Sequence, residues 1–264
     1  IKVKHLTTFN SRCGIAEYSS LFQAALPKNV LSETIADKGV LPLDWQIEEN
    51  IVRLWEQLRH QDVKTLVTAL QLAASDIIHL QYNFGFFSME DLSELVALLN
   101  GSKPIVITLH RTKNLDRGYE IVSLAHAADA LRKVSAIIVH EQHDVHRLAG
   151  LGITDNVVHI PHAAMPFMGR PSTRTFSPGD DLRIGTFGFL LPHKGLDVSL
   201  AAVQSLNNQG KRTTLRALCS LHPDPSSNAT YERLIETINR QGLTSVVSLE
   251  TGYKNVQEIH TELS

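Results

Sequence analysis

Short β-branched apolar runs alternate along this chain with longer amphipathic stretches, and no other feature narrows its possible folds as far. A strand buried on both faces reads as a continuous apolar run, and strands joined through helices run parallel. The runs at Asp76–Gln81, Pro104–Leu109, Ala136–His140 and Val157–Ile160 are each followed by polar or glycine-rich residues and then a helical pattern. Glu90–Leu99 has apolar positions at helical spacing behind an acidic first turn, which suits the positive end of a helix. Tyr119–Val134 and Glu141–Ala149 read as further helices, and Ile1–Phe9 as a first core strand. Lys28–Gln46 shows no clear periodicity. An α/β fold with crossover-connected parallel strands is the expectation.

The pattern breaks once. Ala164–Asp181 holds three prolines and two glycines among several Ser and Thr residues, a poor interior for helix or strand. It reads as an interdomain linker, placed at 166–181, between a domain at 1–165 and a second at 182–264. The βα alternation then restarts, with strand Leu182–Phe187, helix Gly195–Asn207, strand Thr214–Cys219, helix Thr230–Gln241, strand Val246–Leu249 and a last helix from about Asn255. Three strands make half of a doubly wound nucleotide-binding domain, so the second domain is expected to be incomplete here.

Composition removes several function classes. The 264 residues carry a formal net charge of -2 with no long block of one sign, which argues against a nucleic-acid partner. Cys13 and Cys219 are too few for a disulfide framework, and no ligand cluster suggests a structural metal. His140, His143 and His146 crowd one segment, but VHEQHDVHRL lacks the order of a zinc-binding helix, so solvated or loop-packing histidines are expected. No apolar run reaches the roughly 18 residues of a membrane-spanning helix. The first residues lack the regions of a signal peptide. The expectation is a cytoplasmic protein, with a peripheral membrane contact left open.

Four motifs could carry chemistry. In TFNSRCGIAEY (Thr8–Tyr18), a loop joins the first strand to a helix, where open α/β sheets bind ligands. Gly14 allows close backbone approach there, and the helix start favours anions. The dinucleotide spacing G-x-G-x-x-G is absent, which counts against a nicotinamide enzyme. In IVITLHRT, a strand delivers His110 at its end, followed by Arg111; His suits a hydrogen bond to a sugar hydroxyl near neutral pH. HLQYNFGFF ends another strand with Gln81 and Tyr82, polar and aromatic groups able to face a sugar or to pack as core. The strongest is RIGTFGFLLPHKGLDVSL: a strand ends at Gly188, a short loop carries Lys194, and Gly195 opens a helix. A lysine beside free helix N–H groups is poorly placed unless an anion joins it, which suits a diphosphate; the alternative is a solvated first-turn lysine.

Read together, CGIAEYS at 13–19, TLHRT at 108–112, VVHIPHAA at 157–164 and GTFGFLLPHKGLDVSLAAV at 185–203 resemble the retaining glycosyltransferases of family 4. The resemblance spans essentially the whole chain. It implies the GT-B fold: an N-terminal Rossmann-like domain on the acceptor side, and an incomplete second Rossmann-like domain for the nucleotide sugar. It implies a donor and phosphate site at Gly14, Gly188, Phe189, Lys194 and Gly195, with His110 on the transferred sugar. Arg12, Glu17, Tyr18, Gln81, Tyr82 and Arg111 become the acceptor- or sugar-facing set. Two departures stand out. Many relatives carry Arg where Phe189 stands, and the acidic E-x7-E motif would lie beyond Ser264.

What the resemblance implies chemically is transfer of a hexose, such as mannose or glucose, to a glycan or lipid-linked acceptor in surface polysaccharide synthesis. Lys194 and its helix would stabilise the leaving diphosphate, and His110 would orient the sugar. No cofactor or metal is expected, and D-x-D is absent. The linker would act as the hinge of domain closure. Two alternatives remain at this stage: a non-catalytic nucleotide- or glycan-binding relative, and a sugar-nucleotide 2-epimerase.

Overall fold

A computed structural model describes residues 1–48, 51–57, 60–72, 74–162, 177, 179–222 and 225–263. The chain divides into two compact units, Ile1–Ala164 and Met165–Ser264. Most of the expected linker, and with it the expected hinge, lies outside the described residues.

In the first unit the elements are β1 (Lys2–Leu6), α1 (Gly14–Ala24), β2 (Leu31–Asp37), β3 (Ile51–Trp55), α2 (Val63–Leu72), β4 (Ile77–Tyr82), α3 (Met89–Leu99) and β5 (Ile105–Leu109). A two-residue-strand hairpin follows, β6 (Leu115–Asp116) with β7 (Ile121–Val122), and then α4 (Ala128–Leu131), β8 (Ala136–Val139), α5 (Gln142–Gly150) and β9 (Val157–His159). Seven strands form one sheet in the order β3-β2-β1-β4-β5-β8-β9, every pairing parallel. Strand order reverses at β1, between β2 and β4. Loops leaving the carboxyl ends on either side of such a reversal diverge and open a crevice.

The two faces of this sheet differ. On one side Leu6, Leu80 and Ile107 join Leu66, Leu70, Leu92 and Leu95 of α2 and α3 in a large apolar core. The other side, under α1, is polar along its central strands. His5 of β1 is paired in register with His79 of β4. Their Nδ1 atoms lie 3.0 Å apart, His5 Nε2 meets Ser32 Oγ at 3.2 Å, and His79 Nε2 meets Thr108 Oγ1 at 2.8 Å. Side chains two residues apart share a face, so Thr7, Gln81 and His110 continue this polar side toward the carboxyl ends. α1 meets it with matching groups: Ser19 Oγ bonds Thr7 Oγ1 at 2.7 Å, and the Phe22 ring packs over His5 and His79.

The second unit contains β10 (Leu182–Phe189), a 3-10 turn at Pro192–Lys194, α6 (Leu196–Asn208), β11 (Thr213–Ser220), α7 (Pro225–Arg240), β12 (Val247–Glu250) and α8 (Val256–Leu263). Its three strands run parallel in the order β10-β11-β12. Leu196, Leu200 and Val203 of α6 close a core with Leu215, Ala217, Leu234 and Ile238.

Parallel strands with crossover helices match the expectation, with one local correction. Tyr119–Val134 is not one helix. Gly118, at φ +83°, turns the chain so that β7 pairs back on β6. Ser123 then caps a 3-10 turn, Leu124–Ala127, which leads into α4. The β-branched pair Ile121–Val122 favours strand over helix and outweighs the apolar spacing. In the stretch without clear periodicity lies β2, whose exposed first half (Leu31–Glu33) hides its buried second half (Thr34–Asp37).

Candidate functional site

The carboxyl ends of β1, β4, β5, β8 and β9 supply the first candidate. β5 ends at Leu109, and the His110 N–H still bonds the Tyr82 carbonyl at 3.0 Å, extending the ladder by one residue. That extension fixes the imidazole on the α1 side. There its Nε2 lies 2.7 Å from Gln81 Oε1. The Tyr18 ring of α1 stands edge-on to His110, with centroids 5.0 Å apart. Tyr18 also meets His140 at 5.4 Å and His162 at 5.1 Å, while His140 lies 5.5 Å from His110 and 5.0 Å from His162.

Burial dominates the electrostatics of this cluster. It lowers the His110 pKa to about 3, reinforced by His140 and His162, so the ring is neutral at physiological pH. Burial likewise raises the Tyr18 phenol above its ordinary value. His140 Nδ1 lies 2.9 Å from the Ile160 carbonyl, an acceptor only, so that nitrogen carries the proton. His140 Nε2, Gln81 Nε2 and Ser11 Oγ are buried and have no partner among the described residues.

The loop after β1 is held from outside the sheet. Asn10, at φ +47°, donates from Nδ2 to the Asp44 carbonyl at 2.7 Å and to Glu48 Oε1 at 2.5 Å, and its Oδ1 accepts from the Asp44 N–H at 2.9 Å. Arg53 of β3 grips both Glu48 oxygens at 2.8 Å and also donates to the Asp37 and Phe9 carbonyls. The Arg53 guanidinium, then the Asn10 amide, holds the Glu48 carboxyl below its ordinary pKa. The loop after β5 is pinned through Thr112 and Arg147, which both bond Asp144 of α5.

The predicted residues of this unit separate into groups. Tyr18, Gln81 and His110 come together. Gly14 opens α1 at an exposed position where an added Cβ would meet nothing within 4 Å, and Arg12 is exposed beside it. Glu17 sits half-buried in the first turn of α1. Tyr82 is a correction: its side chain is fully buried and its hydroxyl donates to the Phe87 carbonyl at 2.8 Å, so it belongs to the core. Gln81 is also fully buried, and its Oε1 meets His110 Nε2. Arg111 turns back to donate to the Lys113 and Asn114 carbonyls, bracing its own loop. His140, just past β8, packs into the cluster, while His143 and His146 stay exposed. His162 was missed; its signal in the sequence is a strand delivering a histidine just past its end, as with His110.

A separate candidate lies in the other unit. β10 runs on to Phe189, past Gly188 at φ +131°, and Gly195 reaches φ +67° as the residue before α6. No side chain caps α6, so its first N–H groups lack a side-chain acceptor, and Lys194 comes two residues before the helix. Lys194 is exposed and makes no side-chain hydrogen bond or ion pair with the described residues. Asp197 supplies an acid in the same first turn. Phe189, where an arginine was expected by resemblance, packs edge-on against His222 at 5.0 Å. Ser227 Oγ donates to the Leu190 carbonyl at 2.7 Å, anchoring the end of β10.

No group of His, Cys, Asp and Glu side chains that could hold a metal occurs among the described residues. No helix among them is long and apolar enough to cross a membrane. A cavity of about 410 Å³ lies between the β4–α3 loop and the β6–β7 hairpin, and its walls include none of the predicted site residues.

No family model and no curated protein matches the chain. Solved structures do. Sucrose-phosphate synthase from Thermosynechococcus elongatus is similar over 99% of this chain and 72% of its own, at 13% identity and a TM-score of 0.68. Anabaena HepE, solved with UDP and glucose, is similar over 98% of this chain and 71% of its own, at 15% identity and a TM-score of 0.64. Staphylococcus aureus MnaA, solved with UDP, is similar over 99% and 71%, at 10% identity and a TM-score of 0.55. The likeness establishes the fold, an α/β fold with parallel sheets as in the GT-B glycosyltransferases.

Proposed function

We propose that this chain belongs to an enzyme that transfers a hexose from a nucleoside diphosphate sugar to a glycan or lipid-linked acceptor. The observation that carries this reading is the Gly188–Gly195 loop, where a lysine with no side-chain partner among the described residues precedes the start of α6, which no side chain caps. A helix start with free N–H groups and a cation suits a diphosphate, whose charge grows as the sugar leaves. Uridine is the first base to test, because HepE and MnaA were both solved with UDP.

In this reading Lys194 and the α6 N–H groups hold the diphosphate. His110, neutral and braced by Gln81, contacts the sugar. Attack on the same face from which the diphosphate departs would retain the anomeric configuration, with the departing phosphate accepting the proton of the acceptor hydroxyl. Gly14 at the start of α1 belongs to the donor and phosphate set, while Arg12, Glu17 and Tyr18 line the acceptor side. The second reading, a non-catalytic nucleotide-binding relative, draws on Phe189, which packs on His222 and offers no cation.

Calorimetry with UDP, GDP and ADP and their common hexose conjugates tests the proposal. One nucleotide should bind, and Lys194→Ala should weaken it at least tenfold, about 1.4 kcal/mol. Binding of none of them by the folded protein sinks the diphosphate site. Binding without turnover on any acceptor favours the non-catalytic relative, and recovery of isomerised donor favours an epimerase.

A further inference from the structure

We propose that Gln81 is a positioning residue that sets the tautomer of His110, so that the nitrogen left for a ligand is a hydrogen-bond acceptor. The inference rests on the transferase reading for what His110 contacts, and on geometry alone for how His110 is protonated.

Gln81 is fully buried and cannot reorient toward solvent. Its Oε1 lies 2.7 Å from His110 Nε2. An amide oxygen only accepts, so the proton of the neutral imidazole sits on Nε2 and donates to Gln81. Nδ1 then carries the lone pair, and no described residue bonds it. His140 shows the same arrangement with the nitrogens exchanged. Its Nδ1 donates to the Ile160 carbonyl, and its Nε2 has no partner among the described residues. Two neighbouring imidazoles are thus each pinned through one N–H to a protein oxygen.

The consequence is selectivity between chemical groups. A lone pair on Nδ1 takes a hydrogen bond from a hydroxyl, which has a proton to give. It repels phosphate, carboxylate and carbonyl oxygens, which have none. His110 is therefore suited to a sugar hydroxyl and unsuited to a phosphate. A mobile or exposed partner would let the proton move between the nitrogens and lose this discrimination.

The test begins without any substitution. In the whole chain labelled with 15N-histidine, the ring nitrogens of His110 should show a protonated Nε2 and an unprotonated Nδ1 at neutral pH. A protonated Nδ1, meaning the Gln81 amide is turned to donate to Nε2, overturns the proposal whatever the protein binds. Gln81→Leu should populate both tautomers, and Gln81→Glu should raise the His110 pKa by at least one unit while keeping the proton on Nε2. An unchanged tautomer in Gln81→Leu also overturns it, and the wild-type spectrum keeps the test decisive if that variant misfolds. UDP-glucose should shift the Nδ1 signal while UDP alone leaves it in place. If the tautomer is as stated and no nucleotide sugar moves any signal, the lock stands and the transferase reading fails.

Discussion

Asn10 is the one non-glycine residue in the described chain with a positive φ, and its surroundings hold it there. Asn tolerates the left-handed region better than other side chains, and three hydrogen bonds to Asp44 and Glu48 then fix it. Arg53 stands behind them, with Arg53 and Glu48 side chains only 15% and 16% exposed. Arg53→Ala leaves Glu48 without its cation and should cost about 2–3 kcal/mol, read as a lower urea midpoint. Removing both, as Arg53→Ala with Glu48→Ala, should cost less than removing Arg53 alone; an equal or larger loss contradicts the account. Residue scale is also where the sequence was least legible. Gln81 and Tyr82 are neighbours of similar promise, yet successive strand residues point to opposite faces. One reaches His110 and the other is sealed in the core, and only register decides which.

Elements were easier to read than side chains. β5, α3, β8 and β10 announce themselves because apolar runs and caps agree with their tertiary setting. α3 is the clearest case: Ser88 accepts from the Asp91 N–H at 3.0 Å, ahead of apolar residues at helical spacing. Ser88→Ala should lower stability by about 1 kcal/mol and Ser88→Asp should leave it nearly unchanged, both measurable by denaturant titration. β2 was illegible because its buried half reads Thr-Ile-Ala-Asp after an exposed polar half, with only two strongly apolar side chains in the strand. The hairpin of β6 and β7 was hidden for another reason: a two-residue strand is shorter than any periodicity can register.

At the scale of the whole molecule, the polar side under α1 makes stability depend on pH. Burial lowers the pKa of His5 to about 4 and of His79 to about 3, against 6.5 when unfolded. As pH falls below 6.5 the unfolded chain takes up protons that the folded one refuses. The stabilisation is therefore full above that value and is lost progressively toward pH 4 and 3. Each histidine contributes a slope of about 1 kcal/mol per pH unit within its window. Denaturant titrations at pH 7.5, 6 and 5 should show this decline before most carboxylates titrate, and His79→Gln should reduce it. A stability unchanged from pH 7.5 to 5 contradicts the neutral buried pair.

The sheet order has a consequence for how the protein is made. β1 lies third from one edge of the seven strands, and its partner β4, the central strand, begins more than seventy residues later, as the His5–His79 pair shows. While a ribosome is still producing β2 and β3, β1 has one long edge open, and that edge waits for β4. Pairing across so long an interval is slow, and an open strand edge invites other chains. Chaperone dependence during synthesis should therefore concentrate in the interval before Tyr82 emerges, and a ribosome stalled short of it should hold a sheet without its middle seam.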